Sequence, residues 1–459
     1  HQLVHVILAK DLLSKYFPAE NAELSFEEYK KGDKKIPFKE LASYKGKTFE
    51  GFEYEQLLPY TQPTDGDAFR VVLGDFVTTT DGTGIVHIAP SFGSDDFKVA
   101  KQNGIGSLTL VDRSGKFTDD VNDPVFPLDG RYVKEAYYTD AEKEKEFHLQ
   151  KEILRVNNII ADLKSYMSVD DLIVLKLKLE NKLFKTEKYE HNYPHCWRTD
   201  KPVIYYPLDS WFIRTTAVKD RLIELNKTIN WKPTHTGEGR FGQWLENLVD
   251  WNLSRSRYWG TPLPIWLSED GTETKCIGSI AELKSEIEKS AKAGLMQNVE
   301  VNDLHKPFVD DITLVSDSGK PMKRVADLID VWFDSGAMPY AQWHYPLENE
   351  NVFKKNFPAD FIAEGVDQTR GWFFTLHAIA TMCFNSVAYK TVVSNGLVLD
   401  KNGNKMSKRL GNAVDPFETI AKHGADATRW YMISNADPWD NLKFDISGID
   451  EVKRKLFGT

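Results

Sequence analysis

DFIAEGVDQTRGWFFTLHAIATMCFNSVAYKTVVSNGLVL, residues 360 to 399, sets two short apolar runs on either side of a longer one. DFIAEG reads as a buried strand and KTVVSNGLVL as the strand that follows it, while TRGWFFTLHAIATMCF has the length of a helix. That helix places Trp372, Phe373, Leu376, Ile379, Ala380 and Cys383 on one face. Strands linked through a helix lie parallel, since a crossover of this length is what parallel pairing needs. The expected fold class is therefore α/β. Sheets of this kind take ligands beyond the C-terminal ends of their strands, where EGVDQ falls.

A second stretch follows directly. LDKNGNKMSKRLGNAVDP, residues 399 to 416, gathers Lys405, Lys408 and Arg409 between Gly403 and Gly411. Ser407 adds a hydroxyl donor, and the glycines let the backbone close on a ligand. Charge of this kind suits the developing negative charge of a phosphate in nucleotidyl transfer. Taken alone, the same residues also suit a solvated turn. Asp415 and Pro416 supply an N-cap and a first helical position for FETIAKHG.

Length and composition set the limits around these stretches. At 459 residues, with 41% hydrophobic and 27% charged, the chain calls for two or three soluble domains. The net charge of -10 opposes polyanions at long range, so a nucleic acid or nucleotide has to be met by local basic patches. Cys196, Cys276 and Cys383 lie far apart, which excludes a disulfide framework and fits a reducing compartment. No apolar run is long enough for a membrane span, and the location expected is cytoplasmic. The chain opens on His inside HQLVHVILA, which reads as an apolar strand, and so is expected to be an internal piece of something longer.

Residues 1 to about 130 carry short runs of strand character: FRVVLGDFVTTTDGTGIVHIAP, LTLVDRSGKFTDD and PVFPLDGRYV. A compact domain built largely on strands is expected there. From 139 to about 188 the apolar residues shift to helical spacing within highly charged sequence, which predicts solvated amphipathic helices. In DGTGIVHIAPSFGSDDF, residues 81 to 97, Ile85 to Ile88 read as a strand presenting His87. Ser94 reads as the cap of a helix whose first turn holds Asp95 and Asp96.

KMSKR resembles the KMSKS signature of the class I aminoacyl-tRNA synthetases. GEGRFGQWLENLVDWNLSRSRYWGTPLPIW (237–266), DVWFDSG (330–336), EGVDQTRGWFF (364–374) and GADATRWYMI (424–433) resemble segments of the isoleucyl enzymes, in that order along the chain. The resemblance implies an incomplete Rossmann-like parallel sheet with an inserted β-rich α+β editing domain. It divides the chain into an editing domain over 1–190, the second half of the catalytic domain over 191–428, and the start of a helical tRNA-binding stem over 429–459.

By that resemblance Glu364, Gly365, Asp367 and Gln368 lie over an aminoacyl-adenylate, and Trp332 and Trp372 wall an apolar amino-acid pocket. Lys405, Ser407 and Lys408 serve ATP, which Mg2+ accompanies. Asp334 fits either that site or a turn cap. The implied partners are isoleucine, ATP and tRNA(Ile). The HIGH-type phosphate motif of the family is not found in the chain, so the polypeptide alone is expected not to activate isoleucine; amino-acid-dependent ATP-pyrophosphate exchange would contradict this.

An editing domain has a physical reason. One missing methylene in an apolar pocket changes binding by only about 1–3 kcal/mol, and isoleucine against valine is the standard illustration of that limit. The resemblance places His87, Asp96, Thr78, Thr79 and Gly84 in a site that hydrolyses misacylated valyl-tRNA, with Asp96 on the substrate ammonium and His87 limiting pocket size or touching the terminal ribose. Asp96 also suits a helix first turn on dipole grounds alone, and strand propensity accounts equally well for Thr78, Thr79 and Thr80.

The stretch HNYPHCWRTDKP offers His191, His195 and Cys196, but Thr199 stands where some family members have a second Cys, so no zinc is expected. Two rivals remain. One is a valyl or leucyl enzyme; the other is a non-catalytic RNA-binding relative that uses Arg255, Arg257, Lys405, Lys408 and Arg409 to track phosphates.

Overall fold

The computed structural model describes residues 3–458 apart from Lys31, Pro127, Trp197, Lys408 and Arg409. The chain forms two compact units, His1–Leu208 and Asp209–Thr459.

The first unit holds α1 (Leu13–Tyr16), α2 (Ser94–Asn103), α3 (Asp140–Val156) and α4 (Val169–Leu179). The charged stretch from 139 to 188 is helical as expected, and both long helices start on capping boxes, Thr139 with Glu142 and Ser168 with Asp171. Their inner faces pack Leu154, Val169 and Leu172 on Val121, Phe126 and Leu128. Asp123 is buried beside them. Burial alone would raise its carboxyl, but the Lys176 ammonium at 2.7 Å and the amides of Phe126 and Val125 hold it below its ordinary value.

The strand expectations for residues 1–130 need correction. Among the described residues of this unit the extended segments pair only as isolated bridges, such as Glu53 with Arg70, Val111 with Phe117 and Lys116 with Tyr132. Neither residues 3–9, the described part of HQLVHVILA, nor Ile85–Ile88 joins a ladder among the described residues, and Leu3, Val4, Ile85 and Val86 are exposed. Apolar, β-branched sequence favours an extended backbone, but a ladder also needs a neighbouring strand in register.

Every ladder among the described residues lies in the second unit. In chain order its strands are β1 (Phe212–Ile213), β2 (Asn230–Lys232), β3 (Trp251–Asn252), β4 (Ser254–Arg255), β5 (Ile265–Ser268), β6 (Thr274–Cys276) and β7 (Thr313–Val315). They continue with β8 (Pro321–Arg324), β9 (Leu328–Ile329), β10 (Ala359–Gly365), β11 (Tyr389–Asn395), β12 (Val398–Leu399) and β13 (Leu442–Lys443). Its helices are α5 (Lys219–Asn226), α6 (Gly242–Glu246), α7 (Ile280–Lys292), α8 (Val331–Gly336), α9 (Met338–Ala341) and α10 (Glu350–Asn356), then α11 (Trp372–Phe384), α12 (Pro416–His423), α13 (Ala425–Ser434) and α14 (Ile446–Phe457).

The predicted strand, helix and strand are β10, α11 and β11, and the pairing is parallel. Phe361 faces Thr391, Glu364 faces Ser394 and Gly365 faces Asn395 across the register, with β2 on the far side of β11. Two details differ from expectation. Among the described residues β10 lies at the edge of its sheet, with Phe361 60% exposed. In turn, α11 is buried nearly all round: Phe374, Thr375, His377, Ala378 and Thr381 are inside along with Phe373, Leu376, Ile379 and Ala380, whereas Cys383 is exposed. The helix is enclosed on more than one side, by Leu222, Trp231, Phe241, Leu245 and Val392 and by α8.

Residues 254–330 form a module that periodicity did not announce. β4 pairs with β9, and an antiparallel sheet in the order β6-β5-β8-β7 packs with α7 around Trp266, Ile287, Leu314 and Met322. Among the described residues no helix is long and apolar enough to cross a membrane.

Candidate functional site at the end of β10

Glu364 and Gly365 end β10, and Val366–Arg370 turn tightly into α11. That turn brings several predicted residues together. The Gln368 carboxamide oxygen accepts from the Trp372 amide at 3.0 Å, capping the helix, and its nitrogen donates to Asp367 Oδ2 at 3.2 Å. Beneath it the Thr369 hydroxyl is buried, donates to Val366 O at 2.7 Å and accepts from Arg240 Nε at 2.9 Å. Gly371 sits where a Cβ would meet Gln368 Oε1 at 2.8 Å and Trp332 Cη2 at 3.1 Å. Trp332 and Trp372 therefore flank one glycine, and Trp372 Nε1 is fixed on Ser335 O at 2.8 Å. Glu364 and Asp367 are exposed.

The helix carrying Trp332 is capped by Asp330, not by Asp334. Asp330 is buried and accepts from Trp332 N, from Trp251 Nε1 at 3.0 Å and from Arg255 Nη2 at 2.8 Å. Asp334 lies one turn on and accepts from the Thr261 hydroxyl at 3.3 Å. Arg255 is thus committed inside the protein, donating also to Asn252 O and Ser254 O. It is not free to track phosphates.

β11 leads through Gly396 into β12 and the basic loop. A Cβ on Gly396 would stand 2.0 Å from Asp440 O, so only glycine allows the 436–444 segment to lie this close. β12 pairs parallel with β13, and Asp415 caps α12 with Pro416 in the first turn, as expected. Lys405 is exposed and, among the described residues, forms no ion pair; Lys408 and Arg409 lie outside the described residues.

Two residues that sequence reasoning passed over shape this loop. Asp400 accepts from the Asn412 carboxamide at 3.0 Å and from the amides of Asn402 and Asn404, and these bonds, Asn412 first, hold its carboxyl below the usual range. Asn412 Oδ1 in turn accepts from Ser407 N at 2.9 Å, and Ser407 Oγ accepts from Leu410 N at 3.2 Å. Met406 and Val414 anchor the loop on Tyr431, Leu442 and Phe444. The spacing of Asp400 from Asn402, a turn signature, was the available signal.

In the first unit, α2 starts with Ser94 as its first residue and Gly93 as its cap, correcting the expected Ser94 cap. Asp96 Oδ2 accepts from Ala89 N at 3.0 Å and so ties the helix to the turn before it. His87 is exposed and makes no hydrogen bond to the described residues. Thr79 donates to Asp11 Oδ2 at 2.7 Å, and Thr80 to Thr78 Oγ1 at 3.3 Å. Gly84 has φ +77 and packs so closely on Ala9 that a Cβ would lie 2.4 Å from the Ala9 Cβ. Gly84 and Thr79 are therefore drawn toward residues 9–11, and no bond among the described residues joins them to His87 or Asp96.

The family model for class I tRNA synthetases (I, L, M and V) matches residues 7–445. The chain belongs to that family. An isoleucine-tRNA ligase of Cytophaga hutchinsonii is 66% identical over 99% of this chain and 40% of that protein. Another, of Bacteroides fragilis, is 60% identical over all of this chain and 42% of that protein. The chain thus spans about 40% of the length of the relatives it matches. A solved Mycobacterium tuberculosis methionyl-tRNA synthetase in complex with methionyl-adenylate aligns at 16% identity over 81% of this chain and 60% of that chain, with TM-score 0.39, a superposition too loose to transfer any feature.

In this class I synthetase chain the His191 to Cys196 stretch is organised by local hydrogen bonds. Cys196 is drawn below its usual range by the Thr199 hydroxyl and the amides of Arg198 and Thr199, while His191 and His195 turn to the carbonyls of Asn192 and Tyr193. Among the described residues no three His, Cys, Asp or Glu side chains gather as a metal site.

Proposed function

We propose that the full-length protein joins isoleucine to ATP, passes the aminoacyl group to tRNA(Ile) and hydrolyses misacylated valine. The observation that carries this reading is the strand-end turn, where Gln368 caps α11 with Asp367 and both tryptophans around it. Carboxylates at such a place accept from ribose hydroxyls and an α-ammonium. Glu364, Gly365, Asp367 and Gln368 take those contacts; Trp332 and Trp372 enclose the branched aliphatic side chain. Lys405, Ser407 and Lys408 receive the ATP phosphates, with Mg2+ brought by the nucleotide.

Residues 1–190 are assigned to editing, 191–428 to the catalytic domain and 429–459 to the tRNA-binding stem. In the editing part Thr78, Thr79, Gly84, His87 and Asp96 form the proposed pocket. A cytoplasmic location agrees with three free cysteines. The identity of both relatives to isoleucine-tRNA ligases supports isoleucine over valine or leucine.

The test is ATP-pyrophosphate exchange by the full-length protein. Exchange dependent on isoleucine, and reduced at least about a hundredfold by Asp367→Asn, is expected. Equal exchange with leucine or valine, or none with isoleucine, overturns the reading.

A further inference from the structure

Beyond the residues assigned above, the second unit displays a pair of stacked rings. The indole of Trp259 and the imidazole of His305 lie 4.9 Å apart at 7° between planes, near parallel. Both remain open to solvent, Trp259 at 72%. An aromatic pair stacked this flat while exposed forfeits the usual gain from burying such rings and leaves much of the indole surface open to a further stacking partner.

The rings are also held in place. His305 Nδ1 and His305 N both engage Asp303 Oδ1 at 2.8 Å, which fixes the imidazole plane. On the other side Gly260 runs against Leu328 of β9, where a Cβ would meet Leu328 Cδ1 at 3.1 Å, and Ser256 Oγ donates to Asp327 at 2.9 Å. Arg257 and Lys306 flank the pair. Among the described residues neither forms an ion pair, and the Arg257 guanidinium donates only to Ser256 O, unlike that of Arg255, which is spent on Asp330. Exposed aromatic surface beside uncommitted cations fits a nucleobase followed by its phosphates better than it fits an apolar protein surface.

Position supports the same occupant. Ile329 N donates to Thr261 O at 2.7 Å and Thr261 Oγ1 to Asp334 at 3.3 Å, so the segment bearing Trp259 is bonded directly to the helix bearing Trp332. We propose that Trp259 and His305 are a stacking platform for a base in the unpaired 3′ end of the acceptor RNA, with Arg257 and Lys306 meeting the adjoining phosphates. This rests on the tRNA-charging reading above. Trp259 and His305 are positioning residues, since they hold the RNA end rather than touch the reacting bond.

The experiment uses the full-length protein with Trp259→Ala, Trp259→Phe and His305→Ala, each measured for isoleucine-dependent ATP-pyrophosphate exchange, for KM toward tRNA in charging, and for binding of intact tRNA against tRNA trimmed of its unpaired 3′ nucleotides. The expected result is exchange within about twofold of the unmutated protein, KM for tRNA raised about tenfold by either Ala variant, and recovery with Phe. The binding loss should vanish on trimmed tRNA. Unchanged KM and binding in both Ala variants, or a binding loss equally large on trimmed tRNA, overturns the proposal. Absence of exchange in the unmutated protein would remove the activation reading instead, and the intact-against-trimmed comparison would still decide the platform.

Discussion

The turn at Gln368 and the segment around His87 carry equally distinctive motifs, yet the protein holds them by different means. Asp367 and Gln368 follow a strand paired in register with β11 and precede a helix enclosed by core. His87 lies on an exposed extended segment with no ladder, secured at its ends by the Gly84 approach to Ala9 and by the Asp96 bond to Ala89. A side chain is positioned by what its backbone is bonded to. The first turn inherits the stiffness of a core, while the second depends on a few local contacts.

The largest expected effect breaks that difference from the core side. Phe373 is fully buried, packs edge-on to Trp231 with centroids 5.7 Å apart, and its carbonyl accepts from Tyr389 at 2.8 Å. Phe373→Ala should cost about 4 kcal/mol through lost transfer and a cavity, read as a fall in the opening free energy of the Val392 amide by hydrogen exchange. The exposed Phe97 of the first unit, replaced the same way, should change stability by no more than about 0.5 kcal/mol.

Acid sharpens the contrast next. His377 is wholly buried on α11, with Nε2 on Leu222 O at 2.9 Å and Nδ1 unpartnered, and burial lowers its pKa to about 4. The unfolded chain takes up that proton near pH 6.5, so the unfolded state binds more protons between there and about pH 4. Stability of residues 209–459 should therefore fall as pH drops through this window, by about 3 kcal/mol in all. His377→Gln, which keeps a donor for Leu222 O, should flatten the slope in pH-dependent hydrogen exchange. Asp123 in the first unit, with its carboxyl lowered, keeps its contribution throughout the same window and loses it only as pH falls below the ordinary carboxylate range.

What the sequence disclosed follows from the distance over which each feature is built. The β10-α11-β11 pattern and the Asp415-Pro416 helix start are local, and period or capping chemistry reveals them. The bonds from Arg255 to Asp330 and from Thr261 to Asp334 join residues more than seventy positions apart, and no pattern along the chain states such a pairing. For the same reason no signal along the chain separates Asp330 from Asp334 as the cap, or a paired strand from an unpaired extended segment at Ile85–Ile88. Gln368 is expected at the site by resemblance alone, and its bond to Trp372 N belongs to the folded turn, which no local pattern states.

At the strand end itself, Gly371→Ala should displace Gln368 Oε1 and the Trp332 ring, which stand 2.8 and 3.1 Å from the added carbon. A shift of this size in groups that orient a substrate costs about a hundredfold in rate. Exchange by the full-length protein should fall by about that factor, and an unchanged rate would separate the turn from the chemistry.

The smallest expected change is also the most informative for the weaker region. Asp96→Asn keeps an acceptor for Ala89 N, whereas Asp96→Ala removes it and should loosen the start of α2 by about 1 kcal/mol. If Asp96 serves only to tie the turn, both variants of the full-length protein should deacylate valyl-tRNA at the unmutated rate once folding is matched. Pairing with the substrate ammonium instead requires the charge, so Asn should lose deacylation as fully as Ala while retaining the helix start. That split between a neutral acceptor and an anion is the measurement that separates a pocket held by local contacts from a turn that merely looks like one.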